Sequence, residues 1–373
     1  MNSSQHHLQF VFSPYIHQPD DVSASVVWET TKKCFSWVEY GTTPELGQKG
    51  MPQSQHGLFP SNRKLHAIRL EALSPGTRYY YRAFSKEIVE FGANHITYGA
   101  ELHGDIRTFK TFSSAKQCFS FVTLQDIHGK VQNFDRLMEL TDWAGVDFVV
   151  LNGDMQEVET SPAEIKQCVI TPSLKHFARD LPFFYIRGNH ECRGPDAGTL
   201  IEYFPNRNGR YYYTFCHGNA HFTVMDSGED KEDSHKEYSG LVDFDRYRDE
   251  QTQWLKQVAE SEHYRSAAFR IALIHVPPYR VTDWHVNRFM QQHWVPIFNR
   301  TNLDLMISGH DHAYVRFSAR QGKNQFVSVA GDTDTSIRTD IAPDSIHITV
   351  TRVDGELVDR FSVEKDRDNS LAL

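Results

Sequence analysis

The sequence predicts a chain of two parts, an all-β sandwich followed by a larger α/β domain. Three observations lead to this prediction. Up to Thr111, alternating strand-like runs are separated by turns rich in Gly and Pro. From Phe119 on, short apolar runs alternate with segments of helical periodicity, which is typical of β-α-β units. Several of these later runs end in a cluster of Asp, Asn or His. We therefore predict domains at residues 1–114 and 115–373.

Composition limits the classes of function. The 373 residues are 39% hydrophobic and 23% charged, as in ordinary globular proteins. The net charge of -9 disfavours a broad nucleic-acid-binding surface, although metal ions could still supply local positive charge. No apolar run approaches the roughly 20 residues that a membrane span needs. We expect neither a nucleic acid nor a membrane as partner, and the oligomeric state stays open.

The first residues and the cysteines bear on location. Residues 1–7 have neither the basic nor the apolar region of a signal peptide. The five cysteines are scattered and form no Cys-x-x-Cys pair, so neither a disulfide framework nor a zinc ribbon is indicated. We expect reduced thiols in a cytoplasmic protein. A secreted or periplasmic protein whose signal had been removed would show the same pattern.

The first domain is marked by the stretch Leu73–Arg82, in which a Pro75-Gly76 turn leads into three consecutive tyrosines. This pattern predicts a tyrosine corner in a β-sandwich, and the decapeptide resembles the matching turn of fibronectin type III domains. Nothing in this domain suggests catalysis. Its expected role is structural or positional, and a carbohydrate- or protein-binding role stays open. Further strands are predicted at Ser25–Glu29, Ser36–Tyr40 and His66–Leu70.

In the second domain, five apolar runs end in polar clusters. The carboxyl ends of strands in an α/β sheet share one edge, where ligands bind. Asp154 follows the run Phe148–Leu151, and its two carboxylate oxygens could bridge two metal ions. Ser161-Pro162-Ala163-Glu164 predicts a helix start, and Pro172 should break that helix. The clusters are Asp126/His128, Asp154, Asn189/His190, His275 and His310/His312.

Each cluster alone has a plainer explanation. Asp126 and His128 could be a chance spacing, His275 a structural histidine, and Asn189 a turn residue. Together the clusters supply oxygen and imidazole ligands without cysteine, which favours Mn, Fe or Zn. The sequence has no Gly-x-Ser-x-Gly elbow, Walker loop or Gly-x-Gly-x-x-Gly. A metal site at the sheet edge is therefore the favoured interpretation.

The ordered set of clusters resembles the calcineurin-like metallophosphoesterase family, which includes protein phosphatases, cyclic-nucleotide phosphodiesterases and purple acid phosphatases. The similarity extends from about Cys118 to about Arg320. It implies a four-layer α/β sandwich. The matching residues are Asp126-Ile127-His128, Gly153-Asp154, Gly188-Asn189-His190-Glu191, His275 and Gly309-His310-Asp311-His312.

The resemblance also implies a two-metal site and its chemistry. The ions would be two divalent or mixed-valence metals, Mn, Fe or Zn, and a hydroxide bridging them would attack phosphorus. His190 would act as acid or transition-state stabiliser, or would support Asn189, and Glu191 or Asp311 would orient a ligand imidazole. The ligands implied are Asp126, His128 and His312 for the first ion, Asn189, His275 and His310 for the second, and Asp154 as bridge.

A β-sandwich ahead of such a domain is most similar to the purple acid phosphatase arrangement, but two positions depart from it. His128 occupies a place where that subfamily lacks a histidine. Glu157 stands three residues after Asp154, where that subfamily has the tyrosine that gives the purple colour. We therefore expect a colourless enzyme, and ferric iron is not implied.

The substrate is predicted less closely. Phosphomonoesters are the first choice, and phosphodiesters such as a cyclic nucleotide or a glycerophosphodiester are the alternative. A catalytically retired hydrolase with a binding β-sandwich is the alternative from another class. The charged stretch Glu229–Asp233 is expected to be a solvated loop. Side chains beside the motifs that could contact a small phosphate ester are Arg193, Tyr279, Arg280, Trp284, His285 and Tyr314.

Overall fold

The computed structural model describes residues 7–206, 208–279, 283–319 and 324–365. Within these ranges the chain forms two compact units. The first contains the residues up to Ser113 together with Ile170–Phe183 and Thr199–Gly209, and the second contains the rest from Ser114 on. The domains 1–114 and 115–373 stay a prediction; the first unit leaves out residue 114 and includes two later segments.

The described helices are short, apart from one of 17 residues, Phe244–Glu260. A π-helical turn, Lys166–Ile170, separates two of them. The helices are α1 Val131–Leu140, α2 Pro162–Ile165, α3 Thr171–His176, α4 Leu200–Tyr203, α5 Phe244–Glu260, α6 Glu262–Ser266, α7 His285–His293 and α8 Val295–Arg300.

Each pair of hydrogen-bonded strands among β1 to β7 of the first unit is antiparallel. The long second strand, β2, pairs with β1 and β4 through its first half and with β3 and β5 through its second half, so it joins two sets of strands. Strand β5 pairs in turn with β6 and β7. The predicted all-β sandwich is confirmed. The strands are β1 Phe10–His17, β2 Ala24–Gly41, β3 Gln48–Gly50, β4 Arg63–Leu70, β5 Arg78–Phe91, β6 Ile96–His103 and β7 Arg107–Lys110.

The core of the first unit is aromatic, and two of its buried aromatic side chains make hydrogen bonds. Trp28 is fully buried, and its Nε1 donates to Ser85 Oγ at 2.9 Å. Tyr79 is buried at the start of β5, and its hydroxyl accepts from the Ser74 N–H at 2.9 Å. This is the tyrosine corner that the Pro75-Gly76 turn predicts.

The second unit contains two sheets. The first has the order β19-β18-β17-β8-β9-β10, and the second has the order β11-β12-β13-β14-β16-β15. Strands β8 and β9 are parallel, as are β12, β13, β14 and β16. The strands are β8 Phe119–Leu124, β9 Val146–Asn152, β10 Phe183–Ile186, β11 Tyr213–His217, β12 Ala220–Val224, β13 Phe269–Leu273, β14 Leu305–Ser308, β15 Val315–Phe317, β16 Val327–Ala330, β17 Thr335–Ile341, β18 Ser345–Arg352 and β19 Leu357–Glu364.

Aromatic rings fill the space between the two sheets. Phe121 and Phe148 of the first sheet stack at 5.0 Å, and Phe148 meets Phe222 of the second sheet edge-on at 5.7 Å. Leu255 of α5 and Met290 of α7 belong to a buried apolar cluster that also includes Ala272 of β13. Helices therefore cover the second sheet, and the predicted α/β architecture of this part of the chain is confirmed.

The fold brings the ends of several strands to one edge of the second unit. Strands β8 and β9 end before Asp126 and Asp154, and β13 and β14 end before His275 and His310. Parallel strands present their carboxyl ends at a common edge, so these side chains converge. No helix in the described ranges has the length and apolar character to cross a bilayer.

Candidate active site

The polar side chains that follow the strands meet in one cluster. His275 Nε2 lies 3.0 Å from Asp154 Oδ2, and 3.8 Å from Asp126 Oδ1. His128 Nε2 lies 2.8 Å from His312 Nε2. Among the described residues, three sets of potential ligand atoms have all their members within 4.8 Å of one another: Asp126/His128/His312, His128/Asp154/His190 and Asp154/His275/His310. The first set has the residues that the resemblance implies for one ion, and the third combines the implied bridge with two of the residues implied for the other ion.

The backbone of these loops is strained. Asp126, Asp154 and His310 have φ values of 54°, 52° and 74°, and His128 and His312 are also left-handed. Non-glycine residues in this region cost free energy, and such residues concentrate at functional sites. Hydrogen bonds between loops hold the conformation: the Asp126 N–H donates to the Gly153 carbonyl at 3.0 Å, and the His128 N–H donates to the Asp154 carbonyl at 2.9 Å.

Asp126 occupies a buried position at the floor of the cluster. Its two oxygens accept from the His310 N–H at 3.0 and 2.8 Å. Burial raises the pKa of the Asp126 carboxyl to about 8, although His275 opposes this effect. A buried carboxylate of this kind favours a compensating cation.

Asp154 is buried beside His275, and the two groups stabilise each other's charge. Burial would raise the pKa of the Asp154 carboxyl, but His275 outweighs burial and lowers it. Burial would lower the pKa of His275, but Asp154 and Asp126 raise it to about 10. His275 Nδ1 donates to the Asn152 carbonyl at 2.8 Å, which directs Nε2 toward the two carboxylates. A metal ion would take the place of the proton on Nε2.

The amide of Asn189 lies among the proposed ligands. One end of it is 2.8 Å from His310 Nδ1 and 3.3 Å from Asp154 Oδ2, and the other end is 2.9 Å from Arg193 Nη2. Without a metal, hydrogen bonding favours the amide nitrogen at the first end and the oxygen at the second, whereas the reverse orientation would let the oxygen ligate a cation beside His310 and Asp154. Ligands about 2.1 Å from one ion are roughly 3 to 4 Å apart, and the 3.0 Å between His275 Nε2 and Asp154 Oδ2 lies in this range. The oxygen and imidazole donors therefore fit Mn, Fe or Zn.

Glu191 acts differently from the expectation that it orients a ligand imidazole. Its buried carboxylate accepts from the backbone N–H groups of Asp154 and Gly188 at 2.9 and 2.8 Å. It also accepts from the Tyr185 hydroxyl at 2.7 Å. Glu191 thus fixes the turn that presents Asp154, a role that the sequence did not indicate because its partners are mainly backbone groups.

His190 lies at the rim, with both ring nitrogens in contact with neighbours. Its Nδ1 donates to the Glu157 carbonyl at 2.8 Å, and its Nε2 accepts from Arg193 Nη1 at 3.1 Å. The same Nε2 lies 3.9 Å from Asp154 Oδ2. The exposed Glu157 carboxylate lies 3.4 Å from His128 Nδ1. The sequence flagged Glu157 as a departure from a subfamily, but not its contact with these two rings.

The prediction of a solvated loop at Glu229–Asp233 is wrong for its first two residues. Glu229 is 1% exposed and Asp230 is 6% exposed. The Glu229 carboxylate accepts from Arg193 Nε at 2.7 Å and from Nη2 at 2.9 Å, which offsets the cost of its burial. Arg193 is 36 residues earlier in the chain, so the sequence gave no local signal for this pairing.

Other predicted substrate contacts are directed elsewhere. The Tyr314 hydroxyl donates to Asp359 at 2.6 Å, and His285 Nε2 lies 2.7 Å from Asp245 Oδ1. Trp284 precedes α7, where its N–H donates to the Asn287 side chain. Arg280 lies outside the described residues. For Tyr314 and His285, a substrate-binding role stays a prediction.

Comparisons with known proteins agree with this geometry. The model of the calcineurin-like phosphoesterase family matches residues 121–314, just over half of the chain. Purple acid phosphatases 21 and 18 of Arabidopsis thaliana are 24% and 25% identical over 76% and 81% of this chain. The chain spans 60% and 65% of the length of these relatives.

Two solved structures are similar in fold. Purple acid phosphatase PPD1 from yellow lupin (Lupinus luteus) seeds aligns with a TM-score of 0.68 at 14% identity, over 96% of this chain and 75% of that one. PhoD aligns with a TM-score of 0.64 at 13% identity, over 95% of this chain and 90% of that one. At such identities the likeness establishes the fold alone.

Proposed function

Because the chain belongs to the calcineurin-like phosphoesterase family, we propose that it hydrolyses phosphate esters at a centre of two metal ions, with phosphomonoesters as the first substrate class. The observation that supports this most directly is the cluster of carboxylate and imidazole groups after the strands, in which the atoms of each set of potential ligands lie within 4.8 Å of one another. The relatives named purple acid phosphatases support the choice of phosphomonoesters.

The proposed centre uses the residues that the fold brings together. Asp154 belongs to two sets of potential ligand atoms, one with His128 and one with His275, and is the proposed bridge. Bound ions would neutralise phosphate oxygens and lower the pKa of a coordinated water. The donors suit Mn, Fe or Zn. The proposed ligands are Asp126, His128 and His312 for one ion, and Asn189, His275 and His310 for the other.

His190 and Arg193 are the proposed groups for the reacting phosphate. Because the Glu157 carbonyl accepts from Nδ1, the ring of His190 presents Nε2 to the cluster. Because Nε2 accepts from Arg193 in the absence of substrate, it would first take up a proton when Arg193 turns to a phosphate oxygen, and the protonated ring would then give that proton to the leaving-group oxygen. Arg193 Nη1, now 3.1 Å from Nε2, would donate to a phosphate oxygen at the same place.

A phosphodiester is the second candidate, for an electrostatic reason. The guanidinium of Arg193 is paired with the Glu229 carboxylate, so its charge is partly compensated. The exposed Glu157 carboxylate adds negative charge at the rim beside His190. A diester carries one negative charge fewer than a monoester dianion and would be repelled less at this rim.

The proposal is tested by counting metals and assaying esters. We expect about two metal ions per chain and hydrolysis of chromogenic phosphomonoesters after loading with Mn, Zn or Fe. Asp154→Asn should lose both metal binding and activity, because it removes the charge of the proposed bridge. Faster cleavage of diesters would select the second candidate. A wild-type protein that binds no metal would contradict the proposal and favour a retired hydrolase.

A further inference from the structure

The residue that carries the further inference is Glu229, in the segment after β12. A carboxylate that is 1% exposed needs charged or polar partners. Arg193 supplies two of them, through Nε at 2.7 Å and Nη2 at 2.9 Å. The Tyr238 hydroxyl donates to Glu229 Oε2 at 3.2 Å. The paired arrangement of an arginine fork and a carboxylate fixes the plane of the guanidinium as well as its position.

The backbone around Glu229 is itself held by α5. Arg248 is fully buried, and its guanidinium donates to the carbonyls of Ser227, at 2.8 Å, and of Glu229. Gln251 accepts from the Asp226 N–H at 2.9 Å and donates to the Asp226 carbonyl at 2.7 Å. Glu229 is thus a fixed anchor rather than part of a solvated loop.

Arg193 connects this anchor to the cluster. Its Nη1 lies 3.1 Å from His190 Nε2, and its Nη2 lies 2.9 Å from the side-chain amide of Asn189. In the amide orientation that satisfies its hydrogen bonds without a metal, the Asn189 oxygen accepts from Nη2, but an oxygen turned to a cation would leave Nη2 without this acceptor. Glu229 then provides the acceptors that hold the guanidinium. The Arg193 side chain is 30% exposed, so a ligand can still reach it.

We propose that Glu229 is a positioning residue, which holds the Arg193 guanidinium beside His190 so that it binds a non-bridging oxygen of the substrate phosphate. This inference rests on the proposed function and adds a determinant for tetrahedral oxyanions to it. Glu229 itself does not touch the ligand. Its effect is exerted through the fixed direction of Nη1, which a guanidinium without its paired carboxylate would not keep.

The test uses the full chain loaded with Mn, and inorganic phosphate as the probe. Glu229→Gln keeps the side-chain shape but removes the charge and one of the two acceptors. We expect phosphate to bind about 10- to 100-fold more weakly by calorimetry, as for loss of a charge-assisted hydrogen bond. The metal content should be unchanged, and KM should rise more than kcat falls.

A double variant separates positioning from a merely structural role. If Glu229 acts through Arg193, then Arg193→Gln combined with Glu229→Gln should bind phosphate no more weakly than Arg193→Gln alone. Additive losses would overturn the inference. Glu237→Gln is the matched control, since Glu237 lies nearby with a 55% exposed side chain, 3.2 Å from Lys231. It should bind phosphate as the wild type does.

The outcomes distinguish this inference from the proposed function. If the wild type hydrolyses esters and Glu229→Gln binds phosphate equally well, the positioning role is wrong and the proposed function stands. If esters are not cleaved but the phosphate affinities of wild type and Glu229→Gln differ as expected, the positioning role stands and the proposed function is wrong. A wild type that binds no phosphate contradicts both. If Glu229→Gln loses its cooperative unfolding transition, Glu229→Asp is the second variant, because it keeps the charge but shortens the side chain. We expect its phosphate affinity to lie between those of the wild type and Arg193→Gln. A phosphate affinity equal to that of the wild type would overturn the inference.

Discussion

The ring of His190 is fixed at both nitrogens, by the Glu157 carbonyl and by Arg193. Removing it should therefore affect the chemistry more than the metals. We expect His190→Ala to retain its metal content and to lose about 10²- to 10⁴-fold in kcat, the usual contribution of general acid catalysis. Steady-state kinetics and metal analysis of the same preparation measure both quantities.

The control for His190→Ala is a histidine on an exposed strand. His347 of β18 has its ring nitrogens 3.0 and 2.7 Å from the hydroxyls of Ser345 and Ser362. His347→Ala should leave kcat and metal content unchanged. Equal turnover of His190→Ala and the wild type would refute the proposed role of His190.

Glu157 leads to a prediction about colour. Its carboxylate lies 3.4 Å from His128 Nδ1, at the rim of the cluster. The Tyr185 hydroxyl, in the same unit, donates to Glu191 and not to a proposed ligand. We expect iron-loaded protein to show no tyrosinate charge-transfer band in its visible absorption spectrum. A purple preparation would contradict this expectation and would place a tyrosine on iron.

At the scale of residues, the sequence predicts best what is encoded locally. Asp126 and His310 follow directly from strands, so their convergence could be expected from the sheet. Closeness in sequence to a motif predicted substrate-contacting residues less well. Arg193 contacts His190 of the cluster, whereas the Tyr314 hydroxyl donates to Asp359. Glu229 could not be found in this way, because its partner is distant in sequence and its burial depends on the tertiary fold.

At the scale of elements, the turn after β10 depends on close approach of two loops. A Cβ placed on Gly188 would collide with Asp154 Oδ1 and would lie 2.5 Å from the Asp154 nitrogen. Gly188→Ala should therefore displace the proposed bridging carboxylate and reduce metal binding by at least about tenfold, equivalent to about 1.4 kcal/mol. A calorimetric titration with metal measures the dissociation constants of the variant and the wild type.

Gly198 provides the matched control for Gly188. It lies in a 3₁₀ turn, and a Cβ placed there would meet no atom within 4 Å. Gly198→Ala should bind metal as the wild type does. If both variants bound metal normally, the close approach at Gly188 would not matter for the site.

The contact between β2 and β4 makes the first unit sensitive to acid. His66 is 7% exposed, its Nε2 lies 3.0 Å from Thr30 Oγ1, and burial lowers its pKa to about 3. In the unfolded chain a histidine titrates near 6.5. The unfolded state therefore binds more protons between these values, and stability falls as pH decreases from about 6.5 toward about 3. The loss is at most about 1.4 kcal/mol per pH unit.

His66→Gln tests this dependence, because glutamine can still hydrogen-bond to Thr30 but does not titrate. Urea unfolding between pH 7 and pH 4 should show a shallower loss of stability for the variant than for the wild type. His56→Gln is the control, since His56 is exposed in the segment between β3 and β4. Identical pH profiles for His66→Gln and the wild type would exclude His66 as the source.

Element boundaries show where local signals suffice. The helix predicted from Ser161 does begin at Pro162, and Pro172 lies in the first turn of α3. The predicted capping is different, because the Glu164 carboxylate accepts from Thr160 at 2.7 Å through its N–H, and the Ser161 side chain makes no capping hydrogen bond. The π-helical turn Lys166–Ile170 between α2 and α3 had no sequence signal.

At the scale of the whole molecule, the order of an all-β part and an α/β part follows from periodicity alone. The assignment of 170–183 and 199–209 to the first unit does not, because it depends on contacts that no local pattern encodes. A cytoplasmic location and a preference for monoesters stay predictions. The net charge of -9 agrees with a small anionic substrate only if bound metals reverse the charge locally.

Metal removal should therefore change the stability of the folded chain. Asp126 and Asp154 are buried within one cluster, and burial raises the pKa of Asp126 to about 8. Without a metal ion, the charge of these buried carboxyl groups is less well compensated. A cation that binds only the folded state stabilises it by about 2.7 kcal/mol at 100 times its Kd. We expect a chelator to lower the thermal unfolding midpoint by several degrees and added Mn or Zn to restore it. Asp154→Asn should unfold at the same temperature with and without chelator. If the chelator left the thermal unfolding midpoint of the wild type unchanged, these side chains would be stable without metal and the proposed centre would be wrong.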